Sequence, residues 1–217
     1  MKLTVFNGSP RGKGSNTKIL LGRFTDGFTA TEGNTYELAY LVRLKESDNF
    51  IKLFREAEQV LLAFPLYFDA MPAIVKNFIE SLEPLCGREG NPDIGFIVQS
   101  GFPESVHSRY VERYLEKLAT RLGCRYKGTV IKGGVEGIKS MPAWMNKSLF
   151  KSFYELGKIF GETGEFDKQI VLKLAKPERI PKLQFLFLKL IGHNIMWNSM
   201  LKKNNAFEKR FAKPYVK

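Results

Sequence analysis

Residues 7–17, Asn-Gly-Ser-Pro-Arg-Gly-Lys-Gly-Ser-Asn-Thr, set three glycines, three hydroxyls and the cations Arg11 and Lys13 between two apolar segments. Short donors, accessible amides and positive charge in one turn point to an anion. Two nucleotide-binding patterns come near, and both fail. A P-loop requires glycine, four residues, then Gly-Lys-Ser/Thr. Counted from Gly8, the second glycine falls on Lys13, and no lysine precedes a hydroxyl at the required place. A dinucleotide fingerprint requires G-x-G-x-x-G and an acidic residue after the second strand. Here Thr17 stands at the third glycine, and the second apolar segment closes on Leu41-Val42-Arg43. What remains is a monophosphate held intact at a helix start, where aligned N–H groups add to the donors Ser9, Ser15, Asn16 and Thr17 and to Arg11. A plain turn in which Ser15 only caps the helix is the alternative.

Two later stretches bring aromatic and polar groups to the ends of apolar runs: FPLYFDAMP (64–72) and QSGFPE (99–104). A planar amphipathic ring takes aromatic and backbone contacts, and a glycine lets it approach closely. Tyr67 and Phe68 are the aromatic candidates. Burial of one of them is the alternative, because adjacent strand positions face opposite sides. His107 reads as a surface helix residue, and His193 has no partner visible in sequence. The two cysteines, Cys86 and Cys124, form no CxxC pair and read as apolar fillers of a reduced, cytoplasmic chain. No catalytic nucleophile, acid–base group or metal ligand set is singled out.

These loops need elements to position them. Short apolar runs at 2–6, 35–41, 59–64, 94–100 and 125–134 read as strands. Helical periodicity fills 16–28, 47–58, 72–82, 104–123 and 146–164. Strand and helix alternate five times, which predicts a doubly wound three-layer α/β domain with a five-stranded parallel sheet covered on both faces. Ligands of such sheets sit outside the carboxyl ends of the strands, which selects the loops 7–17, 65–71 and 100–104.

At these residues the chain resembles a known family. NGSPRGKGSNT (7–17) is similar to the FMN phosphate loop of the flavodoxin-like NAD(P)H-dependent oxidoreductases, the NADPH-dependent FMN reductase group. FPLYFDAMPAIVKNFIE (64–80) resembles that family's P-x-Y-x-x-x-M-P-A-x-x-K-x-F-x-(D/E) segment, and the resemblance covers roughly 1–165. It implies a flavodoxin-like fold and an FMN phosphate held by Ser9, Arg11, Ser15, Asn16 and Thr17. Pro65, Leu66, Tyr67 and Phe68 would run along the isoalloxazine ring, with Ser100, Gly101, Phe102 and Glu104 on its other side. It also implies NADPH or NADH as reductant, a small-molecule electron acceptor such as a quinone, nitroaromatic or flavin, and a homodimer. Hydride transfer to flavin requires orientation and exclusion of water rather than a protein nucleophile. An electron carrier without nicotinamide turnover is the competing reading. The stretch 38–50 lacks the cysteines that iron–sulfur relatives carry there.

The chain has 217 residues and a net charge of +12. Residues 168–217 hold twelve Lys/Arg against two Glu, leaving 22 against 20 for the rest. The basicity therefore belongs to a C-terminal extension, 166–217, appended to an almost neutral domain, 1–165. No nucleic-acid-binding motif accompanies it. Its large residues Phe185, Phe187, Trp197 and Met200 are expected as buried contacts on the domain or across a dimer. Contact with an anionic membrane surface is the less favoured reading. Nothing approaches the apolar length of a membrane span.

Overall fold

Each apolar run becomes a strand in this computed structural model, which describes residues 1–181, 185–186, 197–213 and 215. The strands are β1 (Lys2–Asn7), β2 (Thr35–Tyr40), β3 (Gln59–Pro65), β4 (Asp93–Gln99) and β5 (Tyr126–Lys132). All neighbours pair in parallel, in the order β2-β1-β3-β4-β5. Between them run α1 (Asn16–Phe28), α2 (Ser47–Glu56), α3 (Ala73–Ser81) and α4 (Arg109–Leu122), followed by α5 (Ala143–Thr163) and α6 (Lys168–Leu174). This is the expected flavodoxin-like, doubly wound sheet.

Alternation along the strands divides the core. Leu3, Val5, Leu61, Ala63, Ile97 and Val130 meet α1 and α5, including Phe24, Phe28, Phe153 and Phe160. Phe6, Val60, Leu62, Phe64, Phe96 and Val98 meet α2, α3 and α4 on the opposite face. The central strands are apolar on both sides because both sides are covered. Fully burying one such Leu or Phe side chain contributes about 1.5–3 kcal/mol.

Two helix starts differ from the sequence pattern. The stretch 105–108 is a 3₁₀ turn, and α4 begins only at Arg109. The amides of Ser105 and Val106 donate to the carbonyls of Pro177 and Glu178, which holds that stretch out of α-helical register. Helix α5 begins at Ala143, with Pro142 extended at its N-cap, rather than at 146.

The first compact unit spans Met1–Glu178, further than the boundary expected at 165. Phe166 packs on Phe24 and Phe160, and Leu174 of α6 is buried in the same cluster. The second unit is Arg179–Lys217, with a short helix α7 (Asn198–Lys203). Phe185, Trp197 and Met200, expected as buried contacts, are each at least half exposed. These exposures are those of a single chain, whereas the expected contacts lie on the domain or across a dimer. Phe187 and His193 lie outside the described residues. No described helix is long and apolar enough to cross a membrane.

Candidate cofactor-binding cleft

In this strand order, successive connections leave β1 and β3 on opposite sides, so a crevice opens where the loops after these strands part. The loop after β1 is fixed from within. Asn7 is fully buried, and its Oδ1 accepts the Ser9 amide at 2.9 Å. The Gly8 amide donates to Ala63 O at 2.7 Å, and a Cβ at Gly8 would lie 2.3 Å from Val75 Cγ2. Only glycine lets the loop lie this close to α3. Gly12 adopts φ +54°, the left-handed conformation that closes the turn.

Ser15 ends the loop as the N-cap of α1. Its hydroxyl accepts the Lys18 amide at 3.1 Å and donates to Gly12 O at 2.7 Å, and Asn7 Nδ2 stands 3.4 Å away. That oxygen is fully committed, so Ser15 shapes the anion turn from behind. Thr17 is likewise buried, accepting Gln99 Nε2 at 3.3 Å. Ser9, Arg11 and Asn16 do face the crevice. The Ser15 hydroxyl and carbonyl take the amides of Lys18 and Ile19. The amides of Asn16 and Thr17 remain at the helix start, where an anion is favoured.

The loop after β3 is a two-residue hairpin turn. Tyr67 and Ala70 exchange backbone hydrogen bonds of 2.8 and 2.9 Å around Phe68 and Asp69. Both central residues have positive φ, +46° and +61°. Phe68 is 95% exposed at the tip. An aromatic residue held in left-handed backbone and turned to solvent is strained without a packing gain, as occurs at ligand-contacting turns. The turn is tied to the loop after β4 through His107, whose Nδ1 lies 3.1 Å from Asp69 Oδ1 and whose Nε2 lies 3.7 Å from Glu104 Oε2. The His107 ring packs on Phe102, with centroids 4.8 Å apart. His107 is thus a bridge between two site loops, a role that its sequence position did not reveal.

The loops enclose a cleft of about 430 Å³, within the range of small-molecule sites, roughly 300–1,000 Å³. Of the thirteen residues expected there, Ser9, Arg11, Asn16, Pro65, Leu66, Tyr67, Phe68, Ser100, Gly101 and Phe102 line it; Ser15, Thr17 and Glu104 do not. Gln99 and Glu136 also line it. Gln99 is the polar last residue of an otherwise apolar β4. Glu136 lies in the loop after β5, which the three-loop reading passed over, although Gly133-Gly134 marks a tight turn at a strand's carboxyl end.

Charge in the cleft is paired. Arg11 Nη2 lies 3.1 Å from Glu136 Oε1, and hydrogen bonding to that carboxylate raises the guanidinium's already high pKa. Two further contacts hold the same strap of chain to the anion turn: Asn16 Nδ2 donates to Val135 O at 2.9 Å, and Lys139 Nζ donates to Gly14 O. Asn16 Oδ1 is buried with no partner among the described residues. Such an acceptor fits a ligand with hydroxyl donors beside its anionic end. The cleft has one polar end, where Arg11 pairs with Glu136 beside the start of α1, and one aromatic rim, which fits a phosphorylated flavin.

Comparison with known proteins agrees on the fold. Residues 1–83 match the model of a family described as having a flavodoxin-like fold. No curated protein matches the chain in sequence. Among solved structures, an FMN-dependent NADH-azoreductase from Bacillus anthracis str. Ames Ancestor, in complex with FMN, is similar. It aligns at TM-score 0.57 and 14% identity, over 74% of this chain and 100% of that one. An NAD(P)H:quinone oxidoreductase from Methanothermobacter marburgensis aligns at TM-score 0.57 and 15% identity, over 77% and 97%. The Trp repressor binding protein from Bacillus subtilis aligns at TM-score 0.54 and 21% identity, over 71% and 96%. At these identities the likeness is one of fold.

Proposed function

We propose that the chain is an FMN-dependent NAD(P)H oxidoreductase whose electron acceptor is a planar small molecule of the quinone or nitroaromatic class. One observation carries the reading. A single cleft at the sheet's switch point combines the Ser9–Arg11–Asn16 anion end with the rim of Tyr67, Phe68 and Phe102. The similar folds described as FMN-dependent azoreductase and quinone oxidoreductase lend it support.

Bound FMN would supply the redox chemistry, taking a hydride from the reduced nicotinamide and passing electrons to the acceptor. The chain's own residues do the rest. Arg11, the Ser9 hydroxyl and the amides at the start of α1 would hold the phosphate, and the unpartnered Asn16 Oδ1 would accept from a hydroxyl of the cofactor. Pro65, Leu66, Ser100 and Gly101, which line the cleft, would flank the ring and exclude water. Tyr67, Phe68 and Phe102 would supply the aromatic rim beside which nicotinamide and acceptor bind in turn. The His107 bridge to Asp69 keeps the two aromatic loops in register.

The test is the visible spectrum of protein incubated with FMN, freed of excess cofactor and then treated anaerobically with NADPH or NADH. A retained flavin band that bleaches is expected. Absence of a retained band overturns the cofactor assignment. A band that neither nucleotide bleaches overturns the reductase assignment in favour of a carrier.

A further inference from the structure

We infer that the second unit, residues 179–217, docks the protein on an anionic phospholipid surface. These residues carry nine Lys/Arg against Glu208 alone, whereas residues 1–178 hold 25 Lys/Arg against 21 Asp/Glu. Two-thirds of the chain's net charge sits in this short unit. Among its described residues, several large apolar side chains are exposed. Trp197 is 53% exposed, Phe211 79% and Tyr215 97%, and Leu186 and Met200 are exposed beside them in the same unit.

Cations and rings alternate rather than segregate. Arg210 lies 3.8 Å from the Phe207 ring centroid and 4.8 Å from that of Phe211, and Lys202 Nζ lies 5.0 Å from Phe207. A bilayer interface takes this combination, with rings and aliphatic chains at the acyl boundary and ammonium or guanidinium groups among the phosphates. A nucleic acid would use the cations, but it gives Leu186, Met200 and Trp197 no comparable apolar phase. No described helix is able to span a bilayer, and the docking inferred is a peripheral one. A bilayer is also where a lipid-soluble quinone resides. That consequence, unlike the docking itself, rests on the acceptor class proposed above.

The experiment sediments the full chain with vesicles of phosphatidylglycerol and phosphatidylcholine, against phosphatidylcholine alone, with a DNA duplex as competitor. Binding to the anionic vesicles is expected, weakening at least tenfold when salt rises from about 0.05 to about 0.5 M. In a Trp144→Phe background the emission reports Trp197 and should shift to the blue on binding. Each cation near such a surface contributes about fivefold. The variant Lys202→Ala/Lys203→Ala/Lys209→Ala/Arg210→Ala should therefore lose about two to three orders of magnitude in affinity. Trp197→Ala/Phe211→Ala should keep the salt dependence and bind about tenfold more weakly. No sedimentation at low salt, equal binding by the four-cation variant, or displacement of the vesicles by DNA would each overturn the inference. Flavin retention is measured on the same samples, so failure of the cleft assignment is seen separately.

Discussion

The two ends of the sheet solve opposite problems with similar residues. At the amino end, where the helices finish, side-chain amides and ion pairs tie neighbouring elements together, although the buried oxygens Thr31 Oγ1, Gln59 Oε1 and Asn91 Oδ1 have no partner among the described residues. Asn34 Nδ2 donates to the carbonyls of Phe28 and Gly161 at 3.1 and 2.8 Å, tying the last turns of α1 and α5. Asn91 Nδ2 does the same for Leu85 and Leu122 at 2.6 and 2.5 Å. Asp93 at the start of β4 receives Arg125 at 2.5 Å and Lys127 at 3.6 Å, and Lys127 also pairs with Glu165. At the carboxyl end, where helices begin, Asn16 Oδ1 has no partner among the described residues, Phe68 and Asp69 hold left-handed backbone, and an aromatic ring faces solvent. The ends differ not in their count of unpartnered atoms but in what surrounds them: cross-element ties at one end, left-handed backbone and an open cleft at the other.

The largest effect that could break this contrast is expected at Lys127. Its side chain is 2% exposed between two carboxylates. Lys127→Met keeps the apolar stem and removes the charge, leaving Asp93 with Arg125 and Glu165 facing water. Unfolding in urea should show a loss of about 2–3 kcal/mol, below the full cost of breaking a wholly buried pair. FMN retention should not change. A neutral stability result together with lost flavin would mean that the ends do not divide the labour.

Arg11→Ala acts at the other end. A hydrogen bond to a charged group contributes about 1.5–3 kcal/mol, so FMN should bind roughly 10- to 100-fold more weakly by fluorescence titration. Riboflavin, which lacks the phosphate, should bind as to the parent. Stability should move by less than about 0.5 kcal/mol, because the pair with Glu136 is exposed. Equal weakening of FMN and riboflavin would detach Arg11 from the phosphate.

Much of this division was readable before any coordinates. Alternating apolar runs and helical periodicity are local signals, and they placed all five strands and five of the helices. Glycine and hydroxyl density marked the anion turn for the same reason. The division of labour inside that turn was hidden. Ser15 and Ser9 look alike in sequence, and only the path of the chain makes one a saturated helix cap and the other a residue of the cleft. Glu136 was missed because its relevance depends on a contact with Arg11 across 125 positions. His107 was read as a surface residue because a bridge to Asp69 requires the 3₁₀ turn that postpones α4. In the second unit, aromatic content alone does not tell residues packed on the domain or a dimer partner from residues that are exposed in a single chain, as Phe185, Trp197 and Met200 are.

A smaller effect of opposite sign is expected at Phe68. Asparagine tolerates left-handed backbone, and this ring, at 95% exposure, has almost no packing to lose. Phe68→Asn should raise stability by about 0.5–1 kcal/mol in urea. If the ring flanks the acceptor, kcat/KM for a quinone should fall while FMN affinity holds. A variant both stabilised and fully active would show the strain to be unrelated to turnover.

The finest test concerns how tightly the cationic end holds its ligand. Glu136 competes with a phosphate for the same guanidinium, and the two charges cannot both be Arg11's closest partner at no cost. Glu136→Gln removes the competing charge and keeps the side chain's size. Exposed pairs contribute less than about 1 kcal/mol, so FMN affinity should rise by no more than about fivefold. The gain should shrink as salt screens the pair, and riboflavin affinity should stay constant. A loss of FMN affinity instead would assign Glu136 a different part, that of aiming Arg11 into the cleft. Both ends of the sheet would then use carboxylates to position cations, and the contrast would lie only in which cations are left for a ligand.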